Sequence, residues 1–252
     1  ARACEVTHVQ LHLDPIRTGD WDLDQTRRAL DDAGVAPISA MMTMLGEDYT
    51  TIGSIRRTGG VRPDETWTPN LDAAHKNAAI ARALGLTLVT FHAGFLPEPG
   101  DPERGVILER LHRIADAFGA CGVRVGLETG QESPDELLGL LDELAREDIG
   151  VNFDPANMIL YDSGDPVPSL ERLAPHVVQI HLKDADPPTT PGQWGTERPL
   201  GEGSVDWEGF FRVVEARLGG VDLLLERESG ESRAGDLRAG ARLARRRLPT
   251  LV

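Results

Sequence analysis

Val151-Asn152-Phe153-Asp154 is a β-branched and aromatic run that ends on an acid, and three further segments share its design. Val123-Arg124-Val125-Gly126-Leu127-Glu128, Val177-Val178-Gln179-Ile180-His181 and Val221-Asp222-Leu223-Leu224-Leu225-Glu226 each close on a carboxylate or an imidazole. Successive side chains of a strand point to opposite faces. Val123, Val125 and Leu127 therefore share one face and Glu128 takes the other. In the same way Val151 and Phe153 oppose Asn152 and Asp154, Val178 and Ile180 oppose Gln179 and His181, and Leu223 and Leu225 oppose Glu226. Each apolar set has the parity to meet a covering helix, and each polar end has the parity to face a barrel mouth. A single such residue reads as a solvated rim group or as the partner of Arg124, Lys183 or Arg227. Four of them, in successive strands with matching parity, point to a shared partner. Unpaired buried carboxylates are strongly disfavoured, and one divalent cation among Glu128, Asp154, His181 and Glu226 removes the difficulty. Three carboxylates and an imidazole make an oxygen-rich shell that suits Mn²⁺ first, with Mg²⁺, Co²⁺ or Zn²⁺ also compatible.

Outward from these segments, short β-branched runs alternate with helical stretches, the pattern of βα units and a parallel sheet. Strands are expected near 4–11, 35–42, 86–92, 123–128, 149–154, 176–182 and 221–226. Helices are expected near 22–33, 69–84, 104–119, 134–147, 207–218 and 232–247. Ser133-Pro134-Asp135-Glu136 offers a capping serine, a proline in the first turn and a glutamate at the third position, a capping box. Thr68-Pro69 is read as opening a helix in the same manner. Ile107, Leu111, Ile114 and Phe118 recur at helical spacing and should pack on the sheet. Seven strands are visible, so the expected fold is a (β/α)8 TIM barrel in which either one strand goes unrecognised or the chain starts after the first, the second reading being favoured because Arg2 to Val6 resembles a helix end running into a strand. No linker or repeat divides residues 1–252, which are read as a single domain. Two long connections, Leu45 to Thr68 and Asp184 to Asp206, follow strands and so fall on the C-terminal rim where barrels bind ligands.

Composition narrows the function. Acids outnumber bases 41 to 26, and the net charge of −15 argues against a nucleic-acid partner. Arg242 and Arg245-Arg246-Arg247 read as the exposed face of a last helix. No run of eighteen apolar residues is present, so no membrane span is expected. Cys4 and Cys121 are too few and too far apart for a disulfide framework. With no signal-like start, a cytoplasmic setting is the expectation.

At Gly126-Leu-Glu128, Asn152-Phe-Asp154-Pro-Ala-Asn157, His181-Leu-Lys-Asp184, Gly201-Glu-Gly-Ser-Val-Asp-Trp207 and Leu224-Leu-Glu226 the chain resembles the xylose isomerase-like barrel superfamily. That superfamily holds sugar isomerases, keto-sugar 3-epimerases, inosose dehydratases and endonuclease IV. The first half matches only through Phe91-His92-Ala93-Gly94 and the βα rhythm. The resemblance implies that Glu128 and Glu226 both ligate the metal and move the proton, and that Arg198 lies near the substrate. Asn157 departs from the pattern, because the epimerases and endonuclease IV carry a histidine there. Endonuclease IV also needs further metal ligands, of which only His92 has a counterpart.

The chemistry implied is proton removal next to a carbonyl through an enediolate, which suits a sugar isomerase or epimerase acting on a keto-sugar. The same first step begins a β-elimination, so a lyase or dehydratase acting on a keto-sugar, keto-glycoside or inosose is the runner-up. A non-catalytic sugar-binding subunit is the third reading. His92 and Lys183 are candidates to hydrogen-bond the sugar, Gln10 and His12 to reach it from the first strand, and His8 to pack inside the barrel. Trp194 either stacks on a sugar ring or covers the mouth. Met41, Met42 and Met44 are read as core and rim filling. Glu202 and Glu231 sit where a phosphate would want no acid, which favours an unphosphorylated substrate. Nothing marks an interface, and a homo-oligomer is compatible with the chain.

Overall fold

A computed structural model describes residues 4–248. The expected helix end at Arg2 and Ala3 lies outside them. Cys4 and Glu5 form a turn, and the first strand begins at His8 instead of residue 4. The main sheet has seven strands: β1 (His8–His12), β2 (Ala36–Met41), β3 (Leu88–Phe91), β4 (Arg124–Glu128), β5 (Ile149–Phe153) and β6 (Val177–Leu182), then β9 (Asp222–Leu225). Between the last two comes an antiparallel hairpin, β7 (Asp184–Asp186) with β8 (Thr196–Arg198). The main-sheet order β1-β2-β3-β4-β5-β6-β9 follows the chain, as in a TIM-type α/β barrel. All seven expected strands are present.

The helices are α1 (Asp14–Thr18), α2 (Leu23–Ala33), α3 (Ile52–Thr58), α4 (Asp64–Ala83), α5 (Pro102–Gly119), α6 (Pro134–Leu144), α7 (Pro155–Tyr161), α8 (Pro166–Leu173), α9 (Trp207–Arg217) and α10 (Arg233–Arg247). The capping box forms as expected: Ser133 N donates to Glu136 Oε2 at 2.7 Å and Glu136 N to Ser133 Oγ at 3.3 Å. Thr68-Pro69 does not open a helix. Instead α4 starts at Asp64 after Pro63, with two acids in its first turn, and Pro69 lies inside it. Pro69 is the sixth residue of α4, past the first N–H groups that lack helical partners, so the helix forgoes the bond that an N–H there would give to Glu65 O. The long rim connections are also structured. One holds α3 and the start of α4, and the other holds the hairpin.

By contact, the described residues form two compact units. One comprises residues 7–128 and 139–150. There β1, β2, β3 and β4 pair in parallel, with Val89 opposite Val125 and Phe91 opposite Leu127. Ile107, Leu111, Ile114 and Phe118 of α5 are buried as the spacing requires. Gly60 and Gly94, both at positive φ, let two backbones cross: a Cβ on Gly60 would lie 1.9 Å from Ala93 O. His8 is exposed at the start of β1, not packed inside. Asp14 is the polar node of this unit. Its carboxylate accepts from His12 Nε2 and Arg17 Nε at 3.0 Å, from Thr43 N and Oγ1 at 2.8 Å, and from Asn77 Nδ2 at 2.9 Å.

The other unit comprises residues 4–6, 129–138 and 151–248. Phe153, Trp207, Phe210 and Phe211 form its aromatic core. Asp184 is fully buried and organises the turn before α9. It accepts from Gly201 N at 2.8 Å, Gly203 N at 3.0 Å, Val205 N at 3.2 Å and Trp207 Nε1 at 2.7 Å. Glu197 of the hairpin accepts from Glu228 N and Ser229 N at 3.0 Å and pairs with Arg227, which also holds Asp236. Arg242, Arg246 and Arg247 face solvent from α10. Among the described residues no helix is long and apolar enough to cross a membrane, and Cys4 and Cys121 are free.

Burial pushes the Asp14 carboxyl up, but the hydrogen bonds from His12, Thr43 and Asn77 outweigh it and hold the group well below the usual carboxylate range. A depressed acid contributes stability above its unfolded pKa near 4 and loses it as pH falls further. Asp14→Asn should therefore cost about 2–4 kcal/mol at pH 7, with the gap to wild type narrowing below about pH 4. Urea unfolding at both pH values measures this, and an equal gap at each would contradict it.

Candidate metal centre

Each of four strands delivers one polar group at or just past its C-terminal end. Glu128 is the last residue of β4, and Asp154 follows β5 directly. His181 is the fifth residue of β6, and Glu226 extends β9 by donating its N–H to Leu182 O at 3.2 Å. Ligand atoms of Glu128, Asp154, His181 and Glu226 all lie within 4.8 Å of one another, the grouping that strand parity predicts.

Asp154 is fixed twice over. Its Oδ1 caps α7 by accepting from Ala156 N at 2.8 Å and Asn157 N at 3.0 Å, and its backbone exchanges hydrogen bonds with Thr129 Oγ1 at 2.8 and 3.0 Å. Oδ2 is thereby aimed at the cluster, 3.9 Å from His181 Nδ1 and 3.8 Å from Lys183 Nζ. His181 Nδ1 lies 3.2 Å from Glu226 Oε2. Lys183, only 2% exposed, sits 3.2 Å from Glu226 Oε2, bonds Glu228, and approaches Asn157 Oδ1 at 3.4 Å. Burial pushes the Glu226 carboxyl up, yet His181 and Lys183, by charge and by hydrogen bond, hold it well below its ordinary value. Three clustered carboxylates with one lysine beside them leave a buried excess of negative charge. A hard divalent cation fits both that excess and the oxygen-rich donor set.

The remaining expected site residues are spread along the strands and rim. His92 Nε2 lies 3.6 Å from Glu128 Oε1. His12 is held by Asp14, and Gln10 Nε2 donates to Thr90 Oγ1 at 2.9 Å and Ala40 O at 3.4 Å. Asn157 is buried on α7. Arg198 is half exposed on the hairpin, its Nε 2.6 Å from Asp186 Oδ2. Trp194 packs edge-on against Tyr161 with centroids 4.8 Å apart. Met42 and Met44 are buried, as filling residues should be.

Sequence reasoning missed Glu47. It lies in the first rim connection, where Oε1 accepts from Gly60 N at 2.9 Å and Oε2 accepts from Tyr49 Oη at 3.3 Å. Burial pushes its carboxyl up, partly offset by the charge of His92 and by these bonds. Its local neighbourhood does not mark it, because Gly60 and His92, which help to set its environment, come from later segments of the chain. Glu228 was missed too. It stands two residues beyond Glu226, with the parity to share its side.

The family model described as xylose isomerase-like TIM barrel matches residues 1–247. The uncharacterized protein YihM of Escherichia coli (strain K12) is 26% identical over 149 residues, 58% of this chain. That match spans 45% of YihM, less than half of its length. A xylose isomerase domain protein from Planctomyces limnophilus, of known structure, is 30% identical and superimposes with a TM-score of 0.92, covering 100% of this chain and 92% of that one. A xylose isomerase-like TIM barrel protein from Mycobacterium smegmatis in complex with magnesium gives 0.75 at 18% identity, covering 99% and 86%. An L-ribulose 3-epimerase gives 0.73 at 15% identity, covering 99% and 86%, and the probable 3-DHS dehydratase AsbF from Bacillus anthracis gives 0.71 at 18%, covering 95% and 89%.

Asparagine caps helices as well as aspartate does. Asp154→Asn should therefore keep α7 and the fold while losing a charged ligand. Manganese at about a hundred times its Kd should raise wild-type stability by roughly 2.7 kcal/mol and leave Asp154→Asn nearly unchanged. Thermal unfolding with and without manganese reads both, and equal stabilisation of the two proteins would remove Asp154 from the ligand set.

Proposed function

The chain belongs to the xylose isomerase-like TIM barrel family, and from that footing we propose that it is a divalent-metal-dependent enzyme that isomerises or epimerises a keto-sugar. The observation that carries this reading is the convergence of two glutamates with Asp154 and His181 on one small, buried volume. A divalent cation held by those four side chains, with manganese the leading choice, would act as a Lewis acid on the sugar's carbonyl.

Glu128 and Glu226 come from different strands and supply two carboxylates for proton transfer. One takes the proton from the carbon beside the carbonyl. The other returns it from the opposite face in an epimerisation, or a carboxylate returns it to the neighbouring carbon in an isomerisation. Lys183 Nζ, 3.2 Å from Glu226 Oε2, keeps that carboxylate ionised and therefore able to act as the base. His92 stands beside Glu128 and meets the sugar there, and His12, Gln10, Asn157, Lys183 and Arg198 offer further contacts to its hydroxyls. The substrate is a small, unphosphorylated sugar, in keeping with Glu202 and Glu231 on the rim. A β-elimination shares the first step, so the fate of the product separates isomerase or epimerase from lyase.

Manganese-loaded protein incubated in D₂O with a panel of ketoses and keto-glycosides should place deuterium on the carbon next to the carbonyl, followed by NMR. Glu226→Gln should lower that exchange by about 10²–10⁴-fold while the circular dichroism spectrum persists. Loss of water with exchange would mark the lyase. No exchange with any sugar, while metal is bound, would overturn proton abstraction as the activity.

A further inference from the structure

Asn152 and Gln179 are fully buried amides that the chemistry above does not use. They face each other across β5 and β6, on the side of those strands that carries Asp154 and His181. Gln179 Nε2 donates to Asn152 Oδ1 at 3.2 Å. Asn152 Nδ2 lies 3.2 Å from His181 Nε2 and 3.5 Å from its Nδ1, and Gln179 Nε2 lies 3.4 Å from Nε2, so Nε2 is the nitrogen that both amides approach. Gln179 Oε1 is buried without a hydrogen bond.

A ring nitrogen that faces amide NH₂ groups must accept. In this arrangement the proton of a neutral His181 therefore sits on Nδ1, pointing at Glu226 Oε2. To ligate a cation through Nδ1, the ring must present its lone pair there and carry its N–H at Nε2, which then needs an acceptor. A half-turn of both amides supplies one. Asn152 Oδ1 then faces Nε2, Asn152 Nδ2 faces Gln179, and Gln179 Oε1, idle before, accepts from it. Each setting leaves one end of Gln179 idle.

We propose that Asn152 and Gln179 form a reversible amide relay that sets which nitrogen of His181 carries the proton, and so readies His181 as a ligand. Both are positioning residues that act through His181, and the inference rests on the metal reading of the site. As the relay turns, the ring gives its Nδ1 proton to water and takes one from water at Nε2. The ring stays neutral.

The test uses protein labelled with ¹⁵N-histidine, with imidazole spectra recorded without metal and with diamagnetic zinc. His181 is assigned by the signals missing in His181→Gln. The proton should sit on Nδ1 without zinc and on Nε2 with it. Asn152→Asp, whose carboxylate can only accept, should hold the proton on Nε2 even without zinc and keep zinc affinity within a few-fold of wild type. Asn152→Leu should lose about 10–100-fold in zinc affinity, read by competition with a chromophoric chelator. Wild-type spectra with the proton on one nitrogen throughout would overturn the relay, whatever the variants do. So would a folded Asn152→Leu that binds zinc as tightly as wild type. Wild-type protein that binds no zinc at all would instead remove the metal reading itself, and the relay with it.

Discussion

Packing like charges into a largely buried volume is the constraint on which the site depends. Glu128, Asp154 and Glu226 bring carboxylate oxygens within 4.8 Å of one another. At an effective dielectric near 20, two such charges about 5 Å apart repel by roughly 3 kcal/mol. Lys183 answers part of this, and His181 stands against Glu226. Such a cluster persists only if rigid elements hold each member, and they do. β4 ends on Glu128, the α7 cap immobilises Asp154, β6 carries His181, and the ladder to β6 fixes the backbone of Glu226.

Buried acids of another kind show by contrast what marks the site. Asp14 and Asp184 are as deeply placed, but hydrogen-bond donors saturate both oxygens of each. They are structural nodes, satisfied by the fold alone. Asp154 commits one oxygen to helix N–H groups and aims the other at the cluster, near His181 and Lys183. Division of labour within one carboxylate, more than burial, separates a candidate ligand from a brace.

Much of this was legible before any coordinates, because period-2 alternation fixes both a strand and the side of its last residue. The seven strands and the Glu128, Asp154, His181 and Glu226 grouping follow from that parity. What escaped has physical reasons. α7 and α8 are seven and eight residues long, too short for a periodic apolar stripe. Their Asp-Pro starts at Asp154-Pro155 and Asp165-Pro166 carry the same capping chemistry as Ser133-Pro134. Asp154 is read from the sequence only as a candidate ligand, and the structure shows it capping α7. Thr68-Pro69 misled because Pro63 with Asp64 and Glu65 starts the helix a turn earlier. Glu47 and the Asn152–Gln179 pair depend on contacts between distant segments, and no local pattern announces those.

Glu197 has a consequence for how such a barrel diversifies. Through the backbone of Glu228 and Ser229 and through Arg227, this one hairpin residue anchors the segment that carries Glu226. The hairpin thereby grips the neighbourhood of Glu226, the residue to which the proposed mechanism gives a proton-transfer role. A change at Glu197 can therefore shift the placement of Glu226 and leave the strands of the sheet untouched.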